Sequence, residues 1–374
     1  MRILIAHNVP SRRTGGMSRI MGFIHDQLAL AGHSVDYFCA EDLPASLNGR
    51  LSRFSFPVMV FDHVRRAARA GRPYDIVNVH EPSGAVVGLL KGIAGRPRVV
   101  VTSHGVEKRG WERALEESRL QRDHVRTRTR VVYPATVLWQ ARLALTSADH
   151  VFCLNAEDAG YLSSSFHIRT DKITRIYPGA DGIYAEAGKH RDYGSAKKLL
   201  FAGTWLKRKG TSDLVAAFTT LAARHPELML VVLNPGTPES SVQSCFPEEI
   251  RSRVVCRQAE PEEGNAAAMA AADIYLLPSL FEGTPLTLIE AMFEGMPIIT
   301  TATCGMKDVI EEGRSGLLVP IRSPQAIVAA VERLLSDPAL RARLGQAARA
   351  EALQKYTWPR VAETVRVAYE RLCA

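Results

Sequence analysis

Two glutamates, Glu282 and Glu290, are separated by seven residues in 281-FEGTPLTLIEAMFEGMP-297, a stretch that otherwise reads as core. An ionised carboxylate only accepts hydrogen bonds, so such a pair suits a partner rich in donors, such as sugar hydroxyls. Gly283, Thr284 and Pro285 lie between them, ahead of an apolar run. Thr284 reads as an N-cap and Pro285 as the first helical residue. The helix is predicted from Pro285 to about Glu294, closed by Gly295 and Pro297. N–H groups at such a start favour an anion, most often a phosphate. A carboxylate beside a phosphate is repulsive unless hydroxyls need it, and Glu290, two turns on, reaches a second set, such as those of a ribose. The ligand predicted is phosphorylated and rich in hydroxyls. A plainer alternative stands on spacing alone. Thr287, Glu290 and Glu294 share one helix stripe, which leaves Glu290 facing water and Glu282 as a loop charge.

Three further motifs follow strand-like runs. In 10-PSRRTGGMSRI-20, Gly15 and Gly16 precede a helical pattern and would let backbone approach a ligand, or make a plain turn. In 102-TSHG-105, His104 stands at a strand's carboxyl end, placed to serve a ligand or simply to pack. In 203-GTWLKRKG-210, Lys207, Arg208 and Lys209 cluster beside glycines, where a cation can neutralise a diphosphate leaving group. No Asp-x-Asp pair, Walker A motif, G-x-S-x-G or H-E-x-x-H occurs, so metal-chelated diphosphate binding lacks its usual ligands. Charge on a leaving group then falls to Lys, Arg and helix starts, with no metal required.

The elements that must hold these residues alternate strand, helix, strand along the chain. Strands are predicted at 2–6, 35–40, 76–80, 98–104 and 150–155, then at 198–203, 228–234, 253–258, 274–279 and 297–301. Their apolar runs suit parallel sheets covered on both faces. At 374 residues the chain is long enough for two doubly wound α/β domains. The boundary is expected in the polar, aperiodic 183-IYAEAGKHRDYGSAK-197. That gives an N-terminal domain over 1–187, a second over 188–355, and a C-terminal helix over 356–374. The helix offers Tyr356, Trp358, Val361, Val365 and Tyr369 as an apolar face, starting after Pro359. Ligands of such domains sit at the carboxyl ends of the strands, which places the site in a cleft between the two.

Composition is that of an ordinary globular protein. Six scattered cysteines without a C-x-x-C pair suit reduced thiols in the cytosol. The start, MRILIAHNVPS, reads as a first strand and not a signal peptide. Of the net charge of +8, residues 1–187 carry most, with 25 Lys and Arg against 18 Asp and Glu, while the rest holds 22 against 21. Arginines concentrate in 108-KRGWERALEESRLQRDHVRTRTR-130, and an apolar-aromatic run with Tyr133 and Trp139 follows. Such a pairing suits peripheral contact with an anionic membrane surface or a lipid-phosphate substrate. The alternative is a solvated helix with internal Glu–Arg pairs beside a buried neighbour. Zinc-finger spacing and RNP-like aromatics are absent, which argues against nucleic acid.

The stretch 278-PSLFEGTPLTLIEAMFEGMPII-299 resembles the signature of retaining glycosyltransferase family 4, which has the GT-B fold: Glu, seven residues, Glu, then Ala-Met and Gly-x-Pro. The resemblance extends over essentially the whole chain, through Gly15-Gly16, His104, 177-YPGAD-181, Lys209 before Gly210, and 311-EEGRSGLLVP-320. It implies two Rossmann-like domains facing a cleft, an acceptor-side first and a donor-binding second. Glu282 would bind hydroxyls of the transferred sugar and Glu290 those of the ribose. Gly283, Thr284, Pro285 and Leu286 would line sugar and phosphates. Lys209, with Gly203 and Thr204 near it, would meet the diphosphate, and His104 and the Gly15–Gly16 loop would serve from the first domain. On the acceptor side Arg126 joins them. This chain departs from the family in having Thr204 and Trp205 where an arginine usually follows Gly203, so Arg208 or Lys207 must substitute. Gly179 replaces the asparagine of the family turn, and Gly305-Met306 stands where Gly-Gly is frequent.

The reaction implied is metal-independent transfer of a hexose, with retention, from a nucleotide-sugar to a glycan or lipid-linked glycan of the cell surface, in the cytoplasm or on the inner face of its membrane. UDP-sugars are the commoner donors in the family and GDP-sugars the next choice, with the base read by backbone near 254-VVCRQAE-260. A sugar-nucleotide 2-epimerase and a non-catalytic nucleotide-sugar-binding scaffold are the competing readings.

Overall fold

Two six-stranded sheets, each parallel throughout, carry the chain. The structure is a computed structural model and describes every residue except 13, 14, 48, 50, 51, 259 and 260. Met1–Pro178 and Trp358–Ala374 make one compact unit, and Gly179–Thr357 make the other.

The first unit contains β1 (Arg2–Ala6), β2 (Ser34–Phe38), β3 (Ile76–His80), β4 (Arg98–Thr102), β5 (His150–Cys153) and β6 (Ile173–Arg175), in the order β2-β1-β3-β4-β5-β6. The second contains β7 (Lys198–Ala202), β8 (Met229–Leu233), β9 (Val254–Arg257), β10 (Ile274–Leu277), β11 (Ile298–Thr301) and β12 (Leu317–Val319), in the order β12-β11-β10-β7-β8-β9. Ile3, Leu4, Ile5 and Ala6 are all fully buried, as are Ile274, Tyr275, Leu276 and Leu277. That explains their unbroken apolar runs: a strand covered on both faces has no position to give to water. Parallel neighbours cannot be joined by a hairpin, so helices cross over between them. In each sheet the strand order reverses once, between β1 and β3 in the first and between β7 and β10 in the second. Crossovers leave in opposite directions there, and the carboxyl ends open into a crevice.

The stretch from 183 to 197 is not a loose linker. Residues Gly182–Ala187 form a helix capped by Asp181, whose carboxylate accepts from the Ile183 N–H at 3.1 Å. Arg191 is buried. Its guanidinium donates to the Ala272 carbonyl at 2.6 Å and the Glu294 carbonyl at 2.9 Å, and pairs with the Glu294 carboxylate at 2.9 Å. The chain leaves the first unit at Pro178, ahead of this stretch, and returns at Trp358. Inside the second unit the two passages lie side by side, joined by a parallel bridge between Ala180 and Thr357.

The returning helix is Trp358–Cys373, which begins just before Pro359. Trp358, Val361, Val365 and Tyr369 are its buried face. Tyr356 is buried too, but in the second unit, where its carbonyl accepts from the Ala180 N–H at 3.1 Å. Trp358 stacks on Phe23 with centroids 4.6 Å apart. Tyr369 accepts a hydrogen bond from Asn78 at 2.7 Å, and Asn78 accepts one from Thr102 at 2.8 Å, so the helix is pinned to β3 and β4.

Removing Arg191 leaves the fully buried Glu294 carboxylate without its counter-ion. Burial already pushes that carboxyl's pKa up, against the pull of Arg191. Arg191→Ala should therefore destabilise the second unit by about 3–5 kcal/mol in urea unfolding, with Glu294→Gln in the same background recovering part of the loss. Equal stability of Arg191→Ala and wild type would show the pair to be incidental.

Candidate active site

The reversal between β7 and β10 is where the second unit brings its polar side chains together. After β7 the chain runs through Gly203 into a short 3-10 turn, Lys207–Lys209, ended by Gly210 at φ 72°. A β-carbon on Gly210 would stand 1.8 Å from the Pro278 carbonyl oxygen, so only glycine lets this turn press against the loop after β10. The Leu280 N–H donates to the Arg208 carbonyl at 2.8 Å and completes the splice. The loop after β11 joins them. Thr300 donates to the Leu277 carbonyl at 2.8 Å, and the Gly305 N–H donates to the Gly283 carbonyl at 2.8 Å. A β-carbon on Gly305 would lie 2.0 Å from the Thr284 hydroxyl.

The splice sets one constellation. Lys209 Nζ lies 2.7 Å from Glu282 Oε1, and Arg208 Nη1 lies 3.2 Å from Glu282 Oε2. The Lys209 and Glu282 side chains are nearly buried, whereas that of Arg208 is half exposed. Burial is the largest influence on the Glu282 carboxyl and pushes its pKa up. Lys209 and Arg208 together outweigh it and hold the carboxyl below its ordinary value. Glu282 is thus an ionised acceptor at neutral pH, and it is not a mere loop charge. Of the residues near Gly203, Arg208 reaches Glu282, while Lys207 and Thr204 are exposed.

The helix beyond differs from expectation at its start. It spans Leu286–Phe293, and Pro285, extended at ψ 126°, is the cap residue. Thr284 does not cap it, because it stands one residue ahead of the cap position. No side chain caps the first turn. Glu290 is 1% exposed, which removes the alternative of a water-facing stripe, and Glu294 is fully buried as well. Both are exceptional costs for a helix unless paired or kept for a ligand. Of the pair expected at Gly305-Met306, only the glycine is sterically required. The neighbouring left-handed residue is Cys304, at φ 51° and fully buried. A left-handed non-glycine of this kind stores strain, and such strain gathers at functional sites.

In the first unit, Gly15 caps the helix Gly16–Leu30. A β-carbon on Gly16 would meet nothing within 4 Å, so packing does not demand a glycine there. Arg13 and Thr14 of that loop, and Ala259 and Glu260 of the stretch expected to read the base, lie outside the described residues. His104 follows β4, half-buried, with Nε2 2.9 Å from Nδ1 of His80 at the end of β3. Burial pushes the His104 pKa down to about 4, with a smaller contribution from His7. Arg126 is exposed at the start of the helix Thr127–Tyr133. The basic segment divides in two. On the helix Glu107–Arg119, Arg113 pairs with Glu116 at 2.6 Å, and Arg122 beyond its end pairs with Glu117 at 3.0 Å. Arg126 and Arg128 have no ion pair among the described residues, and Val131, Val132 and Trp139 near them are 69%, 42% and 60% exposed. Sequence reading passed over His7, His80 and Arg191. A histidine inside an apolar run and an arginine in a polar one leave no periodic trace.

A two-sheet Rossmann-like arrangement with its polar residues at a strand-order reversal defines the GT-B class. Thermosynechococcus elongatus sucrose-phosphate synthase shares it at a TM-score of 0.79 and 22% identity, over 100% of this chain and 99% of that one. Anabaena HepE, solved in complex with UDP-glucose, does so at 0.72 and 16%, over 99% and 100%. Residues 14–182 match the model described as Glycosyltransferase Family 4, and residues 185–351 that described as Glycosyl transferases group 1. A D-inositol 3-phosphate glycosyltransferase of Pseudarthrobacter chlorophenolicus is 30% identical over 86% of this chain and 74% of its own. A phosphatidyl-myo-inositol mannosyltransferase of Mycobacterium leprae is 27% identical over 88% and 81%. The chain belongs to the family 4 glycosyltransferases.

The depressed pKa of His104 has a consequence for stability. Between its unfolded value near 6.5 and about 4, the unfolded chain binds a proton there that the folded chain refuses, so acidification across that window favours unfolding. From pH 7 to pH 5 the fall in Tm should be smaller in His104→Asn than in wild type by roughly 4 °C in scanning calorimetry. Parallel curves for the two proteins would contradict a neutral, buried His104.

Proposed function

We propose that this glycosyltransferase moves a hexose from a nucleoside diphosphate sugar to a phosphate-bearing, lipid-linked acceptor, keeping the configuration at the anomeric carbon. The observation that carries the reading is the Glu282–Lys209–Arg208 group beside an uncapped helix start. One ionised carboxylate accepts from sugar hydroxyls, while two cations and a positive helix end meet the charge of a departing diphosphate.

In this reading Lys209 and Arg208 neutralise the diphosphate without a divalent ion. Gly203, Gly283, Thr284, Pro285 and Leu286 let backbone come close to sugar and phosphates. Glu282 holds hydroxyls of the transferred sugar, and Glu290 those of the ribose. The bond from the anomeric carbon to the diphosphate oxygen breaks, and the acceptor oxygen bonds to that carbon on the same face. The acceptor's proton passes to the departing phosphate oxygen. The first unit's candidates for ligand contact are His104 and the Gly15–Gly16 loop. UDP is the preferred nucleotide, with GDP second.

Two features support an anionic, lipid-linked acceptor. Relatives act, by name, on inositol 3-phosphate and phosphatidyl-inositol. Arg126 and Arg128 stand exposed beside Val131, Val132 and Trp139, a pairing of cations with apolar and aromatic side chains that suits the interface of an anionic bilayer. Peripheral attachment to the cytoplasmic face of a membrane follows from that surface; no helix among the described residues is long and apolar enough to cross one.

Calorimetric titration with UDP, GDP and ADP in EDTA should show one nucleotide binding without metal. Glu282→Gln should keep that binding and lower kcat/KM by about a hundredfold. Binding only after Mg2+ is added, or full activity of Glu282→Gln, would sink the reading. For the membrane, the triple change Arg126→Glu, Arg128→Glu, Arg130→Glu should weaken binding to phosphatidylglycerol vesicles by at least about 1 kcal/mol per site, leaving nucleotide affinity unchanged. Wild-type protein that ignores anionic vesicles would dismiss this surface as a docking face.

A further inference from the structure

Three histidines meet at the carboxyl ends of the first sheet. His7 follows β1, His80 ends β3 and His104 follows β4. Ring centroids are 5.7 Å apart for His7 and His80 and 4.7 Å for His80 and His104. His7 and His80 are 1% and 2% exposed, whereas His104 is half-buried. Burial lowers the pKa of all three, so each ring is a neutral imidazole at physiological pH, with one N–H and one acceptor nitrogen.

The protons can be assigned in order from the interior outwards. His7 Nδ1 lies 3.1 Å from the Val9 carbonyl oxygen, which can only accept, so Nδ1 carries the proton. His7 Nε2 is then an acceptor, and it lies 3.5 Å from Cys39 Sγ. Burial pushes that thiol's pKa up to about 12, so it keeps its proton and can donate. Both nitrogens of His7 are thereby engaged, and neither serves His80. His80 Nε2 has no hydrogen-bond partner among the described residues and no exposure to solvent. Its Nδ1 faces His104 Nε2 at 2.9 Å, and only one proton can lie between them.

Two arrangements are possible. With the proton on His104 Nε2, His80 must carry its own proton on Nε2, and a buried N–H is left without an acceptor. With the proton on His80 Nδ1, the orphan at His80 Nε2 is a lone pair. A buried N–H without an acceptor is the rarer and costlier defect. The second arrangement is therefore favoured. His104 Nε2 is then consumed as an acceptor, and the ring turns an N–H at Nδ1 towards whatever it serves.

We infer that His80 is a positioning residue: it holds His104 in the Nδ1–H tautomer, so that His104 acts on a ligand oxygen as a hydrogen-bond donor and not as a base. The tautomer stands on the geometry of the first unit alone. Its use on a sugar hydroxyl rests on the glycosyltransferase reading above. That use explains why a histidine serves a reaction with no base to provide: a neutral donor grips a hydroxyl without adding charge next to a carbon that becomes positive.

The test is a long-range 15N–1H correlation spectrum of the ligand-free, full-length protein labelled at histidine, with His104→Asn used to assign the signal. Wild type at pH 7 should show His104 protonated at Nδ1 with an acceptor-type Nε2. In His80→Phe, which removes the donor but keeps a ring, His104 should revert to the Nε2–H form. In His80→Asn, whose amide can present an N–H in place of Nδ1, the Nδ1–H form should persist. In the transfer reaction, His80→Phe should lower kcat/KM about tenfold, the scale of one hydrogen bond, and His80→Asn should restore most of it. An Nε2–H signal for His104 in wild type overturns the inference, whatever the variants do, and so does an unchanged His104 signal in His80→Phe. The spectrum needs no substrate, so its outcome is independent of whether Glu282→Gln upholds the transferase reading.

Discussion

A carboxylate kept ionised away from water is the condition on which the second unit is built. Glu282 is 9% exposed, and a bare charge at that depth would take up a proton instead. Lys209 and Arg208 prevent this, and the architecture around them exists to bring them there. Gly210 lets the cationic turn press on Pro278; Leu280 fastens Arg208 from the backbone; Gly305 ties in the third loop. Arg191 and Glu294 anchor the far end of the helix that starts beside Glu282. Each interaction is ordinary, but together they fix three loops from non-adjacent parts of the chain at the reversal of one sheet.

The two units handle charge in opposite ways. At Glu282 of the second, burial is offset by counter-ions, and the carboxylate stays ionised. Among the histidines of the first, burial outweighs every opposing pull, and His7, His80 and His104 stay neutral. A fixed charge attracts or repels at a distance, whereas a neutral imidazole discriminates by contact and orientation.

Much of this was legible in the sequence because the physics that fixes it is local. Fully buried parallel strands must be apolar throughout, which made the central strands plain, and ten of the twelve strands could be read directly. The two that were missed, Ile173–Arg175 and Leu317–Val319, are edge strands of three residues, too short to show a pattern, and the second had been absorbed into a glycine turn. Glu282 and Lys209 stood out because charge beside glycine at a strand's end is rare in a core. The cap was misplaced at Thr284 because cap preference is a local rule of residue type, and the helix starts one residue later, with Pro285 at the cap position. Arg191 was hidden for the same reason: its partners, Ala272 and Glu294, lie far along the chain. Exposed apolar residues at Val131, Val132 and Trp139 could not be told from core ones by spacing, because a helix stripe looks the same whether it faces protein or lipid.

The helix Trp358–Cys373 completes the first unit, yet it follows the whole of the second in the chain. During synthesis the ribosome has made the first six strands and all of the second unit before it makes the segment that covers β3 and β4. Until then Asn78 lacks the phenol it bonds to and Phe23 lacks its stacking partner. The second unit is contiguous and can close while the chain is still growing; the first has to wait. An interrupted or clipped product would thus leave the second sheet intact and the histidine-bearing one open. Incomplete chains would retain the unit that holds Glu282 and Lys209 and lack a finished unit around His80 and His104.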